Sequence, residues 1–287
     1  MIRKLAVRKF VNGKQTIEAV RTISKEEWDD LIQAGIPIFH HVRHRRIHQM
    51  VERNGNDFLQ HMKKSENVTG LDAGDEFLFE ANRLLMNFLA MCFSYVEHVK
   101  HRIFEEYGGK ESKEYKGFDN FRRRTFDTFF SYRFFYKLRN YAVHHDFPIT
   151  FYNNNIESGL KLYFNRDDLI KWDGWGRIVG QDLQRAPKYI EIELHVKQMI
   201  AIMTCFFWEY MWYYKEELHQ SIQRLQNLAI ELNHEPVLLS YQSYEAAKQG
   251  NASITPLPYR HIHSVIEDLK RHPNINVDVV KVSKGAN

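Results

Sequence analysis

The chain has only two cysteines in 287 residues. That is too few for a disulfide framework or a thiolate metal set. Cys92 and Cys205 each lie inside an apolar run, so both read as buried free thiols. No apolar stretch approaches the ~20 residues that a membrane span needs. The longest, "MIAIMTCFFW" at 199–208, is ended by Glu209. The opening "MIRKLAVRKFVNG" lacks the extended apolar core of a signal peptide. Together these features predict a cytoplasmic protein with no membrane contact. Also missing are a glycine-rich phosphate loop, a nucleophile elbow, an HExxH helix and paired CxxC units. Those absences speak against the common nucleotide-binding, serine-hydrolase and zinc-enzyme plans. No cofactor and no metal are expected. Charge of one sign is scarce as well. The formal net charge of +4 permits a polyanionic partner without demanding one.

Apolar and aromatic residues are plentiful, at 44% and 14%. They supply a sizeable core for one large domain with additions. Residues 1–23 read as a β-hairpin, with "KLAVRKFV" and "TIEAVRTI" on either side of an "NGK" turn. Ser24 and Glu27 form a capping box that opens a short helix over 25–34, closed by Gly35 and Pro37. The segment "FHHVRHRRIHQMVERNGND" at 39–57 is strongly basic and helical in pattern. It reads as a solvated face, with phosphate contact by Arg43, Arg45 and Arg46 as the functional alternative. His40, His44 and His48 recur every fourth residue there, without the further ligands that zinc prefers.

A loop is expected over 63–75. A long helix follows over 76–107, with Leu85, Phe88, Cys92, Val96, Val99 and Ile103 as its apolar stripe. A second helix, crowded with Phe and Tyr, runs from about Phe118 to His144 or His145 and stops before Pro148. "FPITFYNNNIESGLKLYF" reads as a second hairpin. Residues 190–233 form a very long helical pattern. In it the aromatic block at 205–214 is core or dimer interface. The tail offers a short helix, "SVIEDLKR", and a strand, "INVDVVKV". The expected organisation is an N-terminal hairpin and basic helical region (1–70), a helical domain with an inserted hairpin (71–233) and a C-terminal extension (234–287). The fold class is mainly α, a helical bundle decorated by β-hairpins.

One stretch carries chemistry. In "YKLRNYAVHHDFPI", Arg139, Asn140, His144 and His145 end an apolar, aromatic helix. Spacing alone says little. Arginine followed by four to six residues and histidine occurs three times here, about what chance gives with so many of both. Context separates the occurrences. Arg43 to His48 lies among charged residues. Arg139 lies among rings, where a guanidinium must be paired or face a cleft, because burying it alone is costly.

"LRNYAVHH", within a mainly helical bundle, resembles the HEPN superfamily. The signature of that family is Arg, a polar residue, a few further residues, then His. Arg139, Asn140 and His144 match that order, and His145 fits the longer spacing. The match covers roughly residues 118–147. It implies a HEPN-like bundle and a metal-independent endoribonuclease in which Arg139, Asn140 and His144 are catalytic, with His145 in reserve. It further implies RNA as substrate and a homodimer that sets two motifs face to face. A role as toxin or antiviral effector, and an antitoxin or regulatory protein as partner, come from the resemblance alone. The alternative is an inactive HEPN-like module that binds RNA or another protein.

The residue types suit the reaction. A histidine can move a proton near neutrality while the RNA 2′-hydroxyl attacks the adjacent phosphorus. An arginine fork can hold the phosphoryl oxygens. Members of the family often carry a supporting polar residue on an earlier helix. Glu97 is the first candidate and Asn87 the second, with Glu80 and Asn82 behind them. Arg122, Arg123 and Arg124 in "FRRRTF" are candidate RNA contacts on the motif's own helix.

Overall fold

The computed structural model describes residues 1–11, 13–64, 71–155 and 159–278. The fold is mainly α with added β-hairpins. In chain order the elements are β1 (Ile2–Val11), β2 (Lys14–Thr22), α1 (Lys25–Lys63), α2 (Leu71–Glu106), α3 (Lys113–Thr128) and α4 (Phe130–His144). Then come β3 (Phe151–Asn155), β4 (Gly159–Asn165), α5 (Arg166–Leu169), a 3-10 turn (Asp173–Trp175), α6 (Gly176–Arg185) and β5 (Tyr189–Glu191). The chain closes with α7 (Ile192–Leu232), β6 (Pro236–Tyr241), α8 (Tyr244–Lys248), β7 (Ser253–Pro256) and α9 (Tyr259–Arg271).

Two compact units divide the chain. One comprises residues 1–44 and 211–287, the other residues 45–210. This differs from the three consecutive segments that the sequence suggested. The cause is β6. "PVLLSY" carries no strong strand signal, yet it pairs antiparallel with β1, from Ile2 opposite Tyr241 to Val7 opposite Pro236. The first and last segments of the chain thus share one antiparallel sheet, ordered β2-β1-β6-β7. Ala6, Val237, Leu239 and Tyr241 pack its buried face. Leaving the buried backbone of β6 unpaired would be costly, and β1 supplies the partners.

Helix α1 overrides two expected stops. It runs through Gly35 and Pro37 because its apolar face continues, with Leu31 and Ile38 fully buried. Gly35 is a contact residue instead of a terminator. A Cβ there would meet the Pro258 ring at 3.1 Å. The basic segment is not a solvated face throughout. His41, His44 and His48 are buried, while Arg43 and Arg46 are exposed and Arg45 is half-buried. His41 Nε2 lies 3.0 Å from a carboxylate oxygen of the buried Asp268 on α9. Three-residue and four-residue steps place these histidines on the core side, which overrides their polarity.

In the second unit the stripe of α2 is buried as its periodicity requires. Cys92 lies within it, and burial pushes its thiol well up. Cys205, expected to be buried, is exposed. The aromatic helix expected over 118–145 is two helices, broken at Phe129 in an extended conformation. Arg133 explains the break. Its Nη1 donates to the carbonyls of Phe126 (3.3 Å) and Asp127 (3.0 Å) in the last turn of α3. Those carbonyls would otherwise lack partners. The second expected hairpin forms as β3 and β4, and β5 adds a third strand. Residues 71–75, expected as loop, begin α2, whereas residues 65–70 of that loop lie outside the described residues. So do residues 156–158 and the second half, 279–282, of the strand expected over 275–282, whose described half, 275–278, forms no strand.

Candidate functional site

The motif occupies the last turns of α4. Leu138 and Tyr141 face the core. Tyr141 stacks on Trp175 (5.6 Å between centroids), and Trp175 stacks in turn on Phe134 (5.6 Å). The Trp175 indole N–H donates to the Leu169 carbonyl at 2.6 Å. This aromatic block holds the end of α4. The next anchor is Asn82 on α2, buried to 3% exposure. Its Nδ2 donates to the Ile149 carbonyl at 2.8 Å, and its Oδ1 accepts from the Ile149 N–H at 3.0 Å. One side-chain amide thus pairs both backbone groups of the segment that leaves the motif. Asn82, ranked behind Glu97 and Asn87 from sequence, is the buried polar residue that supports this end of α4.

Arg139 is exposed and makes no hydrogen bond or ion pair among the described residues. The pairing expected for it is not made among the described residues. Asn140 is half-buried and His144 exposed. His145, the C-cap residue of α4, lays its ring against Tyr141 (5.0 Å) and Trp172 (6.4 Å). Both histidines are exposed, and His145 alone makes ring contacts among the described residues. Because α4 is regular as far as His144, five residues separate Arg139 from it by about 140° around the axis. Arg139 shares its face with exposed Tyr136 and Val143. His144 shares its own with Asn140, one turn earlier. A single chain therefore presents the two groups in different directions.

Glu97 is exposed and lies 3.7 Å from Lys100. The buried supporting role expected for it is not what the structure has. Arg122 and Arg123 both contact Asp119, each at 2.8 Å. A hydrogen bond from Arg122 is the main reason that Asp119 titrates below the usual carboxylate range. Arg124 is exposed and makes no ion pair among the described residues. Of the three arginines, it alone has its charge uncommitted.

Sequence reasoning passed over a second polar cluster near the start of α4. Ser131, almost fully buried, contacts His195 Nδ1 at 2.7 Å and donates to the Gln198 side-chain carbonyl. Burial is the main reason that His195 titrates below the ordinary histidine value. A serine and an arginine inside "FFSYRFFY" were the available signal. Their partners lie far along the chain. Among the described residues, no group of three or more His, Cys, Asp or Glu side chains is placed to hold a metal ion. Nor is any helix among them long and apolar enough to cross a membrane. A scan against family models, a search of curated proteins and a search of solved structures each find no match to this chain.

Proposed function

We propose that the protein is a metal-independent endoribonuclease of HEPN type that acts as a homodimer. The observation that carries this reading is the state of Arg139. Arg139 is exposed on an aromatic helix and has no counter-charge among the described residues, so its guanidinium is open to an anionic ligand. Exposed Tyr136 and Val143 flank it on the same face. Pairing of two such faces about a two-fold axis would cover these apolar side chains. It would also let the Arg139 of one copy approach the His144 of the other, which one copy alone does not achieve.

In the reaction the RNA 2′-oxygen bonds to phosphorus and the bond to the 5′-oxygen breaks. The products are a 2′,3′-cyclic phosphate and a 5′-hydroxyl. His144 moves a proton at the attacking or leaving oxygen. Arg139 holds the non-bridging oxygens, and Asn140, one turn from His144, orients the phosphate. Arg124, exposed and without an ion pair among the described residues, extends the RNA contact in this reading. The test is cleavage of diverse RNAs in EDTA by the native protein, Arg139→Ala and His144→Ala. Loss of at least about 100-fold in both variants is expected, the lower range for a positioned acid or base. Both side chains are exposed, so unfolding should shift by no more than about 0.5 kcal/mol. Cleavage that survives both changes refutes the assignment.

The 140° separation favours a second reading, a catalytically inactive HEPN-like module that binds RNA or a protein. Binding of RNA by a monomer, without cleavage at any concentration, would select it.

A further inference from the structure

Lys137 lies on α4 two turns before His144. Seven residues of a regular helix rotate the chain by about 700°, so the two side chains leave the axis within about 20° of each other. Asn140 lies between them, within about 60° of either direction. Lys137, Asn140 and His144 thus form one polar row along α4. Arg139 projects well away from that row, about 140° from His144.

No carboxylate offsets the Lys137 charge. The residue is half-buried and makes no hydrogen bond or ion pair among the described residues. Its stem runs over the turn that opens α6. A Cβ built on Gly176 would meet Lys137 Nζ at 3.8 Å and Cε at 3.9 Å. Gly176 holds φ at +70°, a conformation that glycine adopts freely. Trp175, just before it, stacks on Tyr141, which fixes the same turn against α4. The first turn of α6 carries no acidic residue, and its N-cap, Trp175, makes no side-chain hydrogen bond. The helix end therefore adds partial positive charge to that of the ammonium, and both favour an anion beside them.

Along the axis Lys137 and His144 stand about 10 Å apart. That span fits two phosphates of one strand. We propose that Lys137 binds a second phosphate of the RNA strand whose scissile phosphate lies at His144, so that the substrate is an oligonucleotide and not a single phosphodiester. The inference rests on the ribonuclease reading for the role of His144. It adds a contact made by the same copy as that histidine, whereas Arg139 approaches from the other copy. A non-scissile phosphate needs only a point charge, which lysine supplies.

The test compares the native protein with Lys137→Met and Lys137→Arg. Methionine keeps an aliphatic stem over Gly176 and removes the charge, whereas arginine keeps the charge. Binding of a fluorescent 2′-O-methyl RNA hexamer, which lacks the attacking hydroxyl, is followed by anisotropy between about 0.1 and about 1 M salt. Each phosphate contact to a single strand contributes about 0.7 to the slope of log affinity against log salt. Lys137→Met should therefore lower that slope by about 0.7 and bind about fivefold more weakly at the lowest salt, converging on the native protein at the highest. Lys137→Arg should keep the native slope. In cleavage, Lys137→Met should raise KM for an unmodified hexamer and leave the rate on the dinucleotide UpA unchanged. Four outcomes overturn the proposal: no salt-dependent binding by the native protein, native affinity and slope in Lys137→Met, loss of slope in Lys137→Arg, or an equal loss of rate on hexamer and dinucleotide. Binding that depends on Lys137 without any cleavage would uphold the phosphate contact and refute the ribonuclease reading.

Discussion

Replacing Asn82 by alanine should loosen the end of α4 that carries the histidines. The substitution removes the partners of both backbone groups of Ile149, a residue 2% exposed. Leaving a buried donor or acceptor unpaired costs about 1–3 kcal/mol for each group. Two groups, partly relieved by water entering beside Pro148, give about 2–4 kcal/mol. For a protein of this size each kcal/mol moves Tm by about 2–4 °C, so the midpoint should fall by about 4–16 °C. Asn82→Asp sharpens the test. The carboxylate still accepts from the Ile149 N–H but sets an oxygen against the Ile149 carbonyl. Protonation restores a donor, so the folded-state pKa of the new carboxyl rises above its unfolded value of about 3.9. Stability then increases as pH falls through that raised pKa, opposite to the usual carboxylate. The assay is urea unfolding of the native protein, Asn82→Ala and Asn82→Asp, followed by tryptophan fluorescence at pH 7 and pH 5. A loss in Asn82→Ala under about 0.5 kcal/mol, within ordinary surface variation, would refute the anchoring role. So would an Asn82→Asp profile parallel to that of the native protein.

Three further outcomes are expected. Gly55→Ala should destabilise by about 1–3 kcal/mol in urea unfolding, although alanine is the better helix former, because its Cβ would lie 2.7 Å from Ile200 Cδ1 and 2.9 Å from Phe88 Cε2. Arg133→Ala should cost about 1.5–3 kcal/mol, since it strips a charged hydrogen bond from Asp182 and the caps from the last carbonyls of α3. Loss of far-ultraviolet helical signal at the α3–α4 break should accompany it. His195 is held below its unfolded value of 6.5 by burial. Its stabilising contribution is therefore present above about pH 6.5 and lost as pH falls toward the lower folded value. Native protein should lose more stability than His195→Phe between pH 7 and pH 5, and parallel losses would contradict that burial.

Much of the fold was legible in the chain. The α2 stripe, the two hairpins and the stop before Pro148 follow from periodicity and turn chemistry, which act over a few residues. What misled was any feature whose meaning depends on a distant partner. Pro37 reads as a stop, yet α1 continues because its buried face extends on both sides. "RHRRIH" reads as solvated, yet two of its positions face the interior. The aromatic helix reads as continuous, because nothing local announces that Arg133 will reach back to cap α3. For the candidate site, Arg139 and His144 were legible as residue types and as a family-like order. The end of the helix also made an exposed His144 legible, but not the unpaired exposure of Arg139 or the rank of Asn82 above Glu97. Glu97 and Asn82 lie about four turns apart on α2 and differ by only about 60° in phase, which sequence spacing places too loosely to separate.

Local chemistry in the sequence determined most elements, the mainly α class and the position of the motif at a helix end. Those outcomes depend on torsional preference and on apolar spacing within one element. Only tertiary structure decided that β6 joins β1, that Asn82 pairs with Ile149 and that Ser131 meets His195. Each of those contacts joins groups at least 64 residues apart. Burial of unpaired polar groups, which is costly in any fold, selects such partners wherever the chain brings them together.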